Sequence, residues 1–117
     1  MSVLRIVPDF SADDPQKQGA FYQQLFGLEV AMDMGFIVTL VSDATINPQL
    51  SLMSQGGSGT PVPAVSIEVD DVLETHRVAE SMGADIVYPL TDEPWGVKRF
   101  FVKDPGGRTL NVVQHLS

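Results

Sequence analysis

The sequence predicts an α+β fold in a single domain, built from two copies of a strand–helix–three-strand module. Three observations carry that expectation. Apolar patterning runs in the order strand, helix, three strands, a small-residue stretch, then strand, helix and three strands again. Local sequence echoes this order: Leu25-Phe26-Gly27-Leu28-Glu29-Val30 resembles Ser81-Met82-Gly83-Ala84-Asp85-Ile86-Val87 apart from one extra residue. Likewise Leu50-Ser51-Leu52-Met53 holds the same place as Leu110-Asn111-Val112-Val113. Finally, a chain of 117 residues fits one domain, while each half is about the size that cannot bury a core alone. The expected modules are about 1–54 and about 63–117, with a linker at about 55–62.

Each element has its own signal. Val3 to Phe10 is apolar enough for a strand, with Pro8 suggesting an edge or a bulge. Asp14-Pro15 supplies an N-cap followed by proline in the first turn. The helix behind it carries Ala20, Phe21, Leu25 and Leu28 at helical spacing and stops near Gly27. Glu29 to Asp33, Phe36 to Asp43 and Gln49 to Ser54 read as strands, divided by Gly35 and by Ala44 to Pro48. Ser54 to Pro61 is the linker, made of small residues running into a proline. Val65 to Val69 is the next strand, and Asp70-Asp71 opens a second helix whose buried stripe is Val72, Ala79 and Met82, ended by Gly83. Ala84 to Tyr88 is a strand and Pro89 to Gly96 a loop. Val97 to Lys103 and Thr109 to Gln114 form a hairpin around Asp104-Pro105-Gly106-Gly107, where proline presets φ and glycine accepts positive φ.

Composition excludes several function classes. The chain is 44% hydrophobic and 19% charged, as a folded globular chain is, and no apolar run approaches the roughly 20 residues that span a bilayer. A net charge of −8 argues against nucleic acid and anionic membrane surfaces, which demand clustered cations. The absence of cysteine removes disulfides, thiolate catalysis and cysteine metal sites. Met-Ser-Val-Leu-Arg at the start has no signal-peptide character, so a cytoplasmic address is expected.

The last hairpin concentrates the chemistry. Four of the seven basic residues, Lys98, Arg99, Lys103 and Arg108, lie in it, either as a solvated face or with Arg99 orienting an anionic small molecule. Glu93-Pro94-Trp95-Gly96 puts the single tryptophan on a loop at the strand mouth, suited to a ligand wall or to a plug of the core. Arg99 shares strand parity with Val97 and Phe101. Asn111 shares it with Val113 and His115, which leaves Leu110 and Val112 for the helix layer.

In order and spacing, Phe21-Tyr22 with Leu25-Phe26-Gly27-Leu28, then Val69-Asp70-Asp71-Val72, then Trp95-Gly96 before Asp104-Pro105-Gly106-Gly107, cover nearly the whole chain. Together they resemble the vicinal oxygen chelate superfamily of glyoxalases, bleomycin resistance proteins and extradiol dioxygenases. The resemblance implies paired βαβββ modules whose curved mixed sheet encloses a pocket, and a frequent homodimer, swapped or unswapped. It also implies four metal-ligand places, which fall here near Val7, Ser51, Ala64 and Asn111. None is a histidine or a carboxylate, and a one-residue error would bring in only Ile6, Pro8, Pro63 or Val65, so no metal and no cofactor are expected.

Other titratable groups are few. His76 reads as a boundary histidine of the second helix, and His115 as a pocket-side residue at a strand end prone to fraying. Glu93 and Asp92 are the best placed carboxylates for acid–base work, whereas Glu68, Asp70 and Asp71 fit a strand end and a helix start. The expected function is therefore metal-free binding of an aromatic or anionic small molecule, as in the bleomycin resistance branch. Its ligand residues would be Trp95, Arg99, Phe101, Asn111 and Glu93, with Tyr88 and Phe36 as further apolar walls. The alternative is a lyase, isomerase or dioxygenase of the same superfamily with a displaced metal site.

Overall fold

A computed structural model describes residues 1–44 and 48–116, giving eight strands and two helices in the expected order. Part of the break expected at Ala44 to Pro48 lies outside the described residues. The chain divides into two compact units, one of residues 7–62 and one of residues 1–6 with 63–117. Strand β1 (Val3–Ser11) gives its last residues to the first of these and its opening residues to the second.

In the 7–62 unit, β1 is followed by α1 (Pro15–Phe26), β2 (Glu29–Asp33), β3 (Ile37–Val41) and β4 (Gln49–Met53). Asp9 to Ser11 pairs in parallel with Ser51 to Met53, and β3 runs antiparallel to both β4 and β2. Asp14 caps α1 by accepting from the Lys17 N–H at 3.2 Å, and Gly27 closes it in the left-handed region at φ 69°. Ala12, Val38, Leu40 and Leu52 form the core, with Tyr22, Leu28 and Leu50 packed against them.

Helix α1 does not turn the expected face inward. Its buried residues are Pro15 and Gly19, while Phe21 and Leu25 are each 60% exposed. The helix meets the sheet through Gly19 instead, where a Cβ would lie at ordinary van der Waals distance, 3.7 Å from Val38 and 3.9 Å from Leu40. The stretch read as a linker is hydrogen-bonded onto itself. Gly56 N–H donates to the Thr60 carbonyl at 2.7 Å, Thr60 Oγ1 to the Gly57 carbonyl at 2.8 Å, and Gly59 N–H to Gln55 Oε1 at 2.8 Å. A Cβ on Gly56 would meet the Pro61 carbonyl oxygen at 2.2 Å, which makes glycine obligatory there.

The other unit contains β5 (Val65–Val69), α2 (Val72–Ser81), β6 (Asp85–Glu93), β7 (Val97–Lys103) and β8 (Thr109–His115). The strands lie in the order β5-β8-β7-β6, with β5 parallel to β8 and the other pairs antiparallel. Helix α2 starts on the Asp71 cap, and the Val72 N–H donates to Gln114 Oε1 at 2.9 Å, tying the helix start to β8. Val69, Val72, Ala79, Phe100 and Val112 form the core beneath it. Met82 was expected in this stripe but is 75% exposed, because α2 ends at Ser81 and Met82 is its C-cap.

The loop expected at Pro89 to Gly96 is also different. Strand β6 continues to Glu93, with register shifts between Ile86 and Tyr88 and between Tyr88 and Thr91. Proline has no N–H to give a ladder, so it is tolerated in this edge strand at a bulge. Only Pro94 to Gly96 remains as the turn into β7.

Candidate functional site

The two bulges in β6 build the site. Val102 pairs with Ile86 and Phe101 with Tyr88, so the first shift sends Ile86 toward the α2 core and Tyr88 to the opposite face. The second returns Leu90 to the core and puts Thr91 and Glu93 beside Arg99 and Val97. Without that extra residue, Tyr88 and Glu93 would point to opposite faces by strand alternation. Instead the Tyr88 hydroxyl donates to Glu93 Oε2 at 3.1 Å.

Glu93 and Arg99 form a buried ion pair, Arg99 Nε to Glu93 Oε2 at 2.7 Å, with both side chains 3% exposed. Three rings surround the guanidinium: its Cζ lies 4.7 Å from the Phe101 centroid, 5.1 Å from Trp95 and 5.3 Å from Tyr88. Each ring face is electron-rich and the guanidinium is weakly hydrated, so stacking offsets part of its desolvation. Trp95 itself is half-buried. Its turn is fixed by Gly96 at φ 87°, by the Gly96 N–H to Glu93 carbonyl bond at 3.2 Å, and by Leu116 N–H donating to the Gly96 carbonyl at 2.9 Å. That last bond ties down the end of β8, where fraying was expected.

Asn111 pairs with Phe101 on one side and Ser66 on the other, so it shares the face of the ring cluster. Its amide donates to Ser66 Oγ at 2.9 Å. The residue is 6% exposed, and its Oδ1 has no hydrogen-bond partner among the described residues. Farther along, Glu68 bridges two groups: His115 Nδ1 lies 2.5 Å from its Oε2, and Arg5 Nε lies 2.6 Å from its Oε1. His115 is 43% exposed at its side chain, so its imidazole is open to the surroundings while Glu68 is mostly covered.

All five expected ligand residues, Glu93, Trp95, Arg99, Phe101 and Asn111, thus belong to one unit and to one side of its sheet. Tyr88 joins them through the bulge. Phe36 belongs to the 7–62 unit, and exposed Asp92 faces away, with Lys98 Nζ 3.6 Å from its Oδ1. His76 packs edge-on against Phe100 at 4.9 Å, on the α2 side. Sequence reasoning missed the Arg5–Glu68–His115 chain. Strand parity relates His115 to Asn111, but only the parallel β5–β8 register brings Glu68 to it across 47 positions.

The residues at the four metal places do not fit a metal. Val7 and Ala64 have no lone pair to donate, and Ser51 Oγ lies 2.9 Å from Thr39 Oγ1. Asn111 offers a neutral amide. Among the described residues no three histidine, aspartate or glutamate side chains gather as a metal site. No described helix is long and apolar enough to cross a membrane.

Residues 5–112 match the family model described as Glyoxalase/Bleomycin resistance protein/Dioxygenase superfamily. No curated protein matches the chain. Among solved structures, a glyoxalase/bleomycin resistance protein/dioxygenase superfamily member from Vibrio splendidus 12B01 is similar at 24% identity and a TM-score of 0.68, covering 98% of this chain and 100% of that one. Methylmalonyl-CoA epimerase of Streptomyces coelicolor, in complex with 2-nitronate-propionyl-CoA, is 17% identical with a TM-score of 0.74, covering 99% and 100%. A Legionella pneumophila protein described as NAD-dependent benzaldehyde dehydrogenase is 21% identical with a TM-score of 0.76, covering 95% and 99%. At these identities the likeness is one of fold.

Proposed function

The chain belongs to the glyoxalase/bleomycin resistance protein/dioxygenase superfamily, and we propose that it is a cytoplasmic protein binding a small molecule without a resident metal. The ligand is held by Trp95, Phe101 and Asn111 beside the Glu93–Arg99 pair. The buried Asn111 Oδ1 carries this proposal. A buried acceptor left unpaired costs about 1–3 kcal/mol, and a ligand hydroxyl or N–H would recover it. Because Glu93 offsets the charge of Arg99, the surroundings favour a flat aromatic or carbonyl-bearing molecule more than a strong anion.

A thermal-shift screen of aromatic and carbonyl compounds tests this, followed by titration of the fluorescence of the single tryptophan. A hit should change Trp95 emission, and Trp95→Phe should weaken it about tenfold or more with little loss of stability. If Trp95→Phe loses stability first and affinity stays, Trp95 is a core plug. Stoichiometric Fe, Ni, Zn or Mn surviving dialysis would overturn the metal-free reading.

One observation favours a second reading, a lyase or isomerase. Glu68 fixing His115 through Nδ1 would leave Nε2 to take up and return a proton. Solvent deuterium entering a bound hit, and ceasing to enter with His115→Gln, would establish it. For assembly, we propose a symmetric homodimer. The exposed Phe21, Leu25 and Phe26 of α1, on a helix whose only charge is Lys17, support it. Light scattering at micromolar concentration should give twice the chain mass, and a monomer mass removes the dimer.

A further inference from the structure

Helix α2 is too short to cover its side of the sheet. It ends at Ser81, while β7 and β8 run on to their turn at Asp104 and Pro105. What remains is a cavity of about 610 Å³, walled by Ala79 and Met82 on the helix side and by Phe100, Leu110 and Val112 on the sheet, with Met1 at its margin. Strand alternation puts it on the opposite side of the sheet from Phe101 and Asn111. It is independent of the ring cluster.

We propose that this cavity is a second binding site, for an uncharged, hydrocarbon-like small molecule. Its volume lies in the roughly 300–1,000 Å³ range of small-molecule sites. Its walls expose apolar surface to water, since Met82 is 75% exposed, Met1 62% and Val3 54%. Two of these are methionines, whose unbranched thioether chains adapt to occupants of different shape. Within the wall, Thr75 is already committed, its Oγ1 donating to the Asp71 carbonyl at 2.9 Å.

The rim decides against a charged head. Lys103 stands there with Asp85, its cross-strand partner, and with Asp104. Asp104 is itself engaged by Arg108, through the backbone N–H at 2.8 Å and the guanidinium at 3.3 Å. Each rim carboxylate thus has a cation as its neighbour, Asp85 facing Lys103 across the strands and Asp104 facing Arg108, so a charged head would lose its water without gaining a spare counter-charge. An uncharged chain or ring meets no such cost.

The experiment is a titration of the whole chain, labelled at its methionine methyls, with 1-decanol and, separately, decanoate near neutral pH. The Met1 and Met82 methyl signals should shift saturably with decanol, while Met32, Met34 and Met53 stay in place. Decanoate should bind at least about tenfold more weakly. Ala79→Phe should abolish the shifts by filling the hollow. Met82→Lys, at a position that is 75% exposed, should weaken decanol binding severalfold. The proposal falls if no saturable shift occurs up to the solubility of decanol, or if decanoate binds as well. It falls too if Trp95 fluorescence reports the same saturation, which would put decanol on the ring-cluster face. Met1 and Met82 signals that move with protein concentration alone would show a second copy covering the cavity, and would also overturn it.

Discussion

Glu93→Leu is expected to lower the free energy of unfolding by about 3–5 kcal/mol, and Arg99→Met by a similar amount. Both side chains are 3% exposed, so removing either partner leaves a charge buried against a face that water barely reaches. The double variant Glu93→Leu/Arg99→Met should recover much of the loss, because a buried pair replaced by apolar groups is often close to neutral. Urea unfolding of the four proteins gives the coupling directly. Single variants that each lose less than about 1 kcal/mol would mean that the pair is solvated and the three-ring cage is open. The ring contacts add a further signature. Arg99→Lys keeps the charge but loses planar stacking on Phe101, Trp95 and Tyr88, so it should be destabilising while changing Trp95 emission.

Phe100→Ala should remove about 3–5 kcal/mol, measured in the same way. Phe100 is fully buried, packs with Val69, Val72, Ala79 and Val112, and meets the His76 ring edge-on. It also borders the cavity under α2, so truncation enlarges an existing hollow that the neighbours have not closed. Leu110→Ala, on the same side of β8 but only half-buried, should be milder, at about 1–2 kcal/mol. A larger loss at Leu110 than at Phe100 would mean that the centre of this core lies elsewhere.

The repeat, the strands and the caps were legible because each has a local cause. Asp14 and Asp71 cap their helices, Gly27 and Gly83 end them in positive φ, and the last hairpin turns where Asp104-Pro105-Gly106-Gly107 requires it. The inward face of α1 was not legible. Phe21 and Leu25 make a stripe at proper spacing, but apolar periodicity gives no weight to Pro15 and Gly19, the residues that the helix buries instead. Strand β6 was cut short for a related reason. Pro89 is a strong local breaker, yet at an edge its missing N–H removes nothing, and the bulges beside it keep the ladder going.

The candidate site followed the same division. Arg99 with Phe101, and Asn111 with Val113, were accessible from alternation along single strands. Tyr88 beside Glu93 required a bulge that no residue pattern announces. Glu68 with His115 required the register between β5 and β8, which is set by packing of the whole layer.

The irregular edge strand has one more consequence, for life in a crowded solution. A straight nine-residue strand at a sheet margin exposes a row of unsatisfied amides and carbonyls on which another chain can add as a further strand. In β6 the two bulges interrupt that row, and Pro89 contributes no donor to it. The same kinks that bring Tyr88 and Glu93 to Arg99 therefore make the margin a poor template for fibril growth.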